Sequence, residues 1–151
     1  MTSKAIDSKM KYLIFFLILL VITFFSYRTK MAERDFAKVL LEKTEAKLAS
    51  ESGINILAEK INFAIKNGLS VKLVIDKTLN DGWLQAGTEK EARYRISYAK
   101  KQKNKNANSG VEEYDILCEG KSGARVYSTA AIIEINNKSC SIKSTRMKSE
   151  N

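Results

Sequence analysis

SESGINILAEKINFAIKNGLSVKLVID, Ser50 to Asp76, changes its hydrophobic period partway along. In the first part Ile54, Leu57, Ala58, Ile61, Ala64 and Ile65 recur at helical spacing and share one face. Gly53 stands among Ser50, Ser52 and Asn55, so a helix break is expected at 50–55, with Ser52 or Asn55 starting a new helix. Asn67 and Gly68 tolerate the left-handed conformation and close that helix. From Leu69 the period drops to two. Leu69, Val71, Leu73 and Ile75 alternate with Ser70, Lys72, Val74 and Asp76, which predicts a strand with one buried face. A helix with a wide apolar stripe ahead of a run of strands predicts the α+β class, the helix covering one face of the sheet.

Downstream the strand signals continue. Asn80-Asp81-Gly82 reads as a hairpin-type turn before Trp83 and Leu84. Tyr94, Ile96 and Tyr98 alternate with Arg93, Arg95 and Ser97 in a second strand, and Lys100 to Gly110 is a polar loop. Tyr114, Ile116 and Cys118 mark a third strand, residues 119–123 (EGKSG) a turn, and Ala124 to Ile135 a fourth strand. Asn136-Asn137 turns into a fifth around Cys140 and Ile142, fraying after Thr145. The sheet is therefore expected to be a four- to five-stranded antiparallel meander.

Upstream lies KYLIFFLILLVITFFSYRTK, Lys11 to Lys30. From Tyr12 to Tyr27 it holds no charge, no Gly and no Pro. As a helix this run is roughly 24 Å long, and Lys11, Arg28, Tyr12 and Tyr27 suit the headgroup zone at its ends. A cleavable signal needs small residues at its cut site, where this chain has Phe24, Phe25 and Tyr27, so a retained transmembrane helix is expected. Lys4, Lys9 and Lys11 precede the run, and Arg28, Lys30, Arg34 and Lys38 follow it, so loop charge is nearly balanced across it. A short tail ahead of a signal-anchor stays inside, which places the bulk of the chain outside a cell inner membrane. Beyond Arg28, Ala37, Leu41, Thr44 and Leu48 form a narrow stripe suited to a second helix, its own copy or a partner's. The organisation is then a tail (1–11), an anchor (12–27), an amphipathic stalk helix (28–52), an exported α+β domain (53–145) and a frayed tail (146–151).

Formal charge is +9, and the excess is local: Arg93, Arg95, Lys100, Lys101, Lys103 and Lys105 fall within 92–110, which has no acid. Such a cluster suits anionic lipid or an acidic partner. Nucleic acid is disfavoured, because alternation points Tyr94 and Tyr98 away from Arg93 and Arg95. No cofactor is expected. The chain has no His, hence neither the commonest general base nor the commonest metal ligand. Glu112, Glu113 and Asp115 are close in sequence but read as solvated or ion-paired.

Gly120-Lys121-Ser122 lacks the earlier Gly and the following helix of a phosphate-binding loop, and Asn137-Lys138-Ser139 reads as a hairpin rather than a glycosylation site. For Cys118 and Cys140, export favours a disulfide. Register opposes it: pairing near Arg125 and Ile133 sets them roughly 26 Å apart along one strand, against about 7 Å for a bridge. The sequence leaves that bridge open.

The order of apolar helix, stalk helix and antiparallel sheet resembles type IV pilins and pseudopilins, and equally bitopic secretion subunits and membrane-anchored phage or plasmid proteins. The resemblance covers the order of elements. The Gly before the apolar helix and the Glu at its fifth position are replaced here by Lys9-Met10-Lys11 and by Tyr12 to Phe16. The functions expected are a non-enzymatic interaction module of an envelope assembly, or alternatively a sensor or inhibitor domain binding a small ligand or a lysis or transport protein, with Gly53 as a hinge.

Overall fold

A computed structural model describes residues 3–87, 92–102 and 110–148. Two helices precede five strands: α1 (Ser3–Lys66), α2 (Val71–Asn80), β1 (Leu84–Gln85), β2 (Arg93–Lys101), β3 (Glu112–Ser122), β4 (Arg125–Ile135) and β5 (Cys140–Lys148). The strands form one antiparallel sheet in the order β1-β2-β3-β4-β5, so the α+β meander is as the sequence implies. The chain divides into two compact units, Met1–Leu40 and Leu41–Asn151.

In the first unit, the large apolar side chains from Tyr12 to Tyr27 are 48–73 % exposed on every side of the helix. The helix that contains this stretch is, by length and composition, long and apolar enough to cross a membrane.

In the second unit, one face of α1 lies on the sheet. Ile54, Leu57, Ala58, Ile61 and Ala64 are buried, as their spacing predicts, and the first four cluster with Ile96, Ile116, Cys118, Ala131 and Ile133. The helix ends where Asn67 and Gly68 place its stop. Gly68 has φ +66°, the Gly68 amide donates to Ile65 O at 3.2 Å, and the Leu69 amide reaches back to Ala64 O at 2.8 Å. That pair of bonds satisfies carbonyls that the last turn would otherwise leave open.

The expected break at 50–55 does not occur. Helix α1 runs through it, and Ala46, Ala49 and Ser50 already belong to the buried face, so the folded unit begins well before residue 53. Gly53 is there for space. A Cβ on it would stand 2.5 Å from Tyr94 Cδ2 and 2.6 Å from Cys118 Sγ. Opposite, a Cβ on Gly120 would stand 1.9 Å from Ala46 O and 2.5 Å from Ser50 N. Helix and sheet therefore touch backbone to backbone along a seam of small residues, and a glycine that weakens an isolated helix permits the close approach.

The second correction concerns 69–76. This segment belongs to α2, not to a strand: Val71, Val74, Ile75, Thr78 and Leu79 turn inward at helical spacing, while Leu73 is exposed. Val71 and Ile75 satisfy both the period-two and the helical template, which is why so short a stretch misleads. Accordingly Asn80-Asp81-Gly82 is not a hairpin turn but the exit of α2, with the Asp81 amide bonded to Lys77 O and Gly82 at φ +69°. The hairpins also differ in detail. Strand β3 runs through 119–122 to pair Ser122 with Arg125, leaving Gly123-Ala124 as the turn, with Gly123 at φ +54°. Asn136 to Ser139 close the next hairpin, and Asn136 Oδ1 accepts from the amides of Lys138 and Ser139. Strand β5 continues past Thr145 to pair Lys148 with Ser128.

Candidate interaction surfaces

The inner side of the sheet is occupied by its own helices. Polar groups there are matched. Ser50 Oγ donates to Lys47 O at 2.7 Å and lies 2.6 Å from Thr129 Oγ1, so the Thr129 hydroxyl is left to donate to it. Asn62 bonds both backbone groups of Cys140, accepting from its amide at 2.6 Å and donating to its carbonyl at 3.1 Å. Ser122 Oγ donates to Glu45.

Both cysteines face this interior and are free thiols. Cys118 pairs with Thr129 and Cys140 with Ile135, six residues apart on β4 or roughly 20 Å, so the meander keeps the bridge from forming. Burial pushes the Cys118 thiol up to about 12, with Glu119 adding to it, and burial pushes Cys140 up to about 11. Neither is a thiolate at neutral pH.

The three clustered acids separate by strand alternation. Glu112 lies on the helix side, where the Lys101 ammonium donates to it and holds its carboxyl below the usual range, and it accepts the Tyr114 hydroxyl at 3.1 Å. Burial, reinforced by that bond, pushes Tyr114 up to about 12. On the other side, Glu113 takes Lys143 and Asp115 accepts from Gln102 at 2.6 Å. Among the described residues no group of three or more acids, cysteines or histidines is gathered that could hold a metal.

Among the described residues the outer side of the sheet carries no helix, and it collects three of the four predicted cations described. Arg93, Arg95 and Lys100 stand on it, while Lys101 falls on the helix side, and Lys103 and Lys105 lie outside the described residues. Arg95 is paired: Nε meets Glu119 at 2.7 Å, and its guanidinium lies 4.8 Å from the Trp83 ring centre. Alternation misplaces Tyr98. A bulge between Ile96 and Tyr98 shifts the register by one residue, so Ile96 pairs with buried Cys118 but Tyr98 pairs with Leu117. Tyr98, 45 % exposed, therefore joins the face of Arg93 and Arg95 rather than opposing it. It stands beside a cleft of ≈ 320 Å³ whose floor includes Leu117, Ala130 and Ile132 and whose rim includes Ser144 and Arg146. Lys121 and Arg146, absent from the sequence-level candidates, become part of this face only through strand pairing.

The stalk stripe remains open in the folded unit. Leu41 and Leu48 are 58 % and 55 % exposed, with Thr44 exposed between them. At about 100° per residue these three lie on the side of α1 opposite Ala46, Ser50 and Gly53. Ala37, in the first unit, is exposed as well. No protein-family model, curated protein or solved structure matches the chain.

Proposed function

We propose that this chain is a single-pass, membrane-anchored interaction module, non-enzymatic, that works as a component of or accessory to an envelope assembly. Its α+β domain stands outside a cell inner membrane and binds another protein. The observation that carries the reading is the exposed apolar stretch Tyr12 to Tyr27, whose side chains need a non-aqueous surrounding that the described residues do not supply. Leu41, Thr44 and Leu48 support it, offering an exposed helical face for a partner helix or a second copy. The hinge role entertained for Gly53 is not retained, because Tyr94 and Cys118 close over it.

Two measurements test the proposal. Protease added to intact spheroplasts is expected to remove the domain; digestion only after lysis refutes the exported orientation. Photo-crosslinkers at positions 41 and 48, introduced in the membrane-embedded full chain, are expected to capture a protein, while one at buried Ala46 is not. Monomer alone at all three positions refutes an interaction through the stalk.

A further inference from the structure

Among the described residues every acid on the outer face of the sheet is engaged: Glu119 by Arg95, Glu113 and Glu134 by Lys143, and Asp115 by Gln102. Its cations are not all so engaged. Among the described residues Arg93, Lys121 and Arg146 form no ion pair, and Arg93 stands directly across from Lys121. Like charges facing each other across a strand pair destabilise a sheet, so this face holds a repulsion that an anionic partner relieves. Of these three cations Arg146 lines the cleft over Ala130, together with the hydrogen-bonded Asp115, while Arg93 and Lys121 stand farther along β2 and β3. The cleft exists because Ala130 is small, while Leu117, Ile132 and Tyr98 around it are large.

We propose that the outer face of the sheet docks an extended, acidic segment of a partner protein, one apolar side chain of which seats over Ala130 between Arg146 and the Arg93–Lys121 pair. Arg146 lies two strands from Leu117, and Lys121 four residues along β3 from it. At strand spacings of about 4.8 Å and rises of about 3.3 Å, the two charge sites are roughly 16 Å apart. An extended segment covers that span in about five residues, so the partner carries two acids that far apart with an apolar residue between. A nucleic acid fits less well, because the floor is aliphatic and, among the described residues that line the cleft, Tyr98 is the one aromatic ring. A bilayer surface fits less well too, since the cleft is lined by an acid, Asp115, as well as by Arg146.

This inference rests on the interaction-module reading and names the partner chemistry of its domain. Its test uses the purified full chain in detergent micelles and a phage-displayed library of random 12-residue peptides. Selection is expected to enrich an apolar residue flanked by acids about five positions apart. A synthetic enriched peptide should lose at least tenfold in affinity on Arg146→Glu and on Lys121→Glu, lose comparably on Ala130→Phe, and weaken as salt rises. Trp83 emission and far-ultraviolet circular dichroism confirm that each variant is folded.

Enriched peptides without acids, or less than a threefold change for the charge reversals, overturn the proposal. So does binding of a 12-nucleotide oligothymidylate or of phosphatidylglycerol vesicles that is sensitive to these substitutions when no peptide is enriched. Because the selection needs only purified protein, loss of the exported orientation or of stalk crosslinks leaves it standing, and an inert sheet face leaves those readings standing.

Discussion

Gly53→Ala separates two accounts of the helix at 50–55 by the sign of its effect. If residue 53 sat in an ordinary exposed helix, alanine would stabilise the fold by about 1 kcal/mol, the difference in helix propensity. The structure argues for the opposite sign. The new Cβ would meet Tyr94 Cδ2 at 2.5 Å and Cys118 Sγ at 2.6 Å, about 1 Å inside ordinary contact. Both neighbours are fully buried, at 3 % and 0 % exposure, so they yield only by displacing the core. Overpacking of this kind costs about 1–3 kcal/mol. With contacts on two sides the upper part of that range applies, and subtracting the propensity gain leaves a net loss of about 1–2 kcal/mol. Denaturant titration of the full chain in detergent, followed through Trp83, reads this as a lower midpoint. Cys118→Ala in the same chain should recover part of the loss, since it removes one of the clashing atoms, and a double-mutant cycle measures the coupling. A midpoint raised by Gly53→Ala would refute the packed seam.

Three further outcomes follow from the same interior. Gly120→Ala should be the more damaging glycine change, with a loss of about 3 kcal/mol or more, because its Cβ meets the backbone of α1 at 1.9 Å and no side chain can turn aside; unfolding titrations of the two variants side by side give the comparison. Ser50→Ala should cost about 1–3 kcal/mol by stranding the Thr129 hydroxyl, whereas adding Thr129→Val should return much of it, and failure of that rescue would show that the pair is not mutually dependent. The thiols supply a pH signature: folding holds Cys118 near 12 and Cys140 near 11 against an ordinary 9.0, so their contribution is intact below pH 9 and is lost as pH rises toward 11–12. The unfolding midpoint should therefore fall above pH 9, less steeply in Cys140→Ala, and a thiol reagent at pH 8 should label neither cysteine until the protein unfolds.

Much of this molecule was legible from local pattern. The apolar run 12–27, the buried face from Ile54 to Ala64, the Asn67-Gly68 stop and the later strands each rest on interactions within a few residues, which spacing and cap residues report directly. What misled was any feature whose meaning lay across the fold. Gly53 looks like a break in sequence, because the sheet that fills its missing side chain comes from residues more than forty positions away. Val71 and Ile75 fit either period, and only the docking of their element on the core selects the helix. A one-residue bulge before Tyr98 reverses the side of every following residue on β2 relative to simple alternation, moving Tyr98 out beside Arg95. For the same reason Lys121 and Arg146 carry no local sign that they share a face with Arg93. The sequence by itself determined a long apolar helix, a helix-on-sheet fold and a basic segment, because composition and period are local quantities. Tertiary structure alone decided which residues form the seam, that the thiols stay apart, and where charge gathers around the cleft, because those depend on strand register and on how closely two backbones approach.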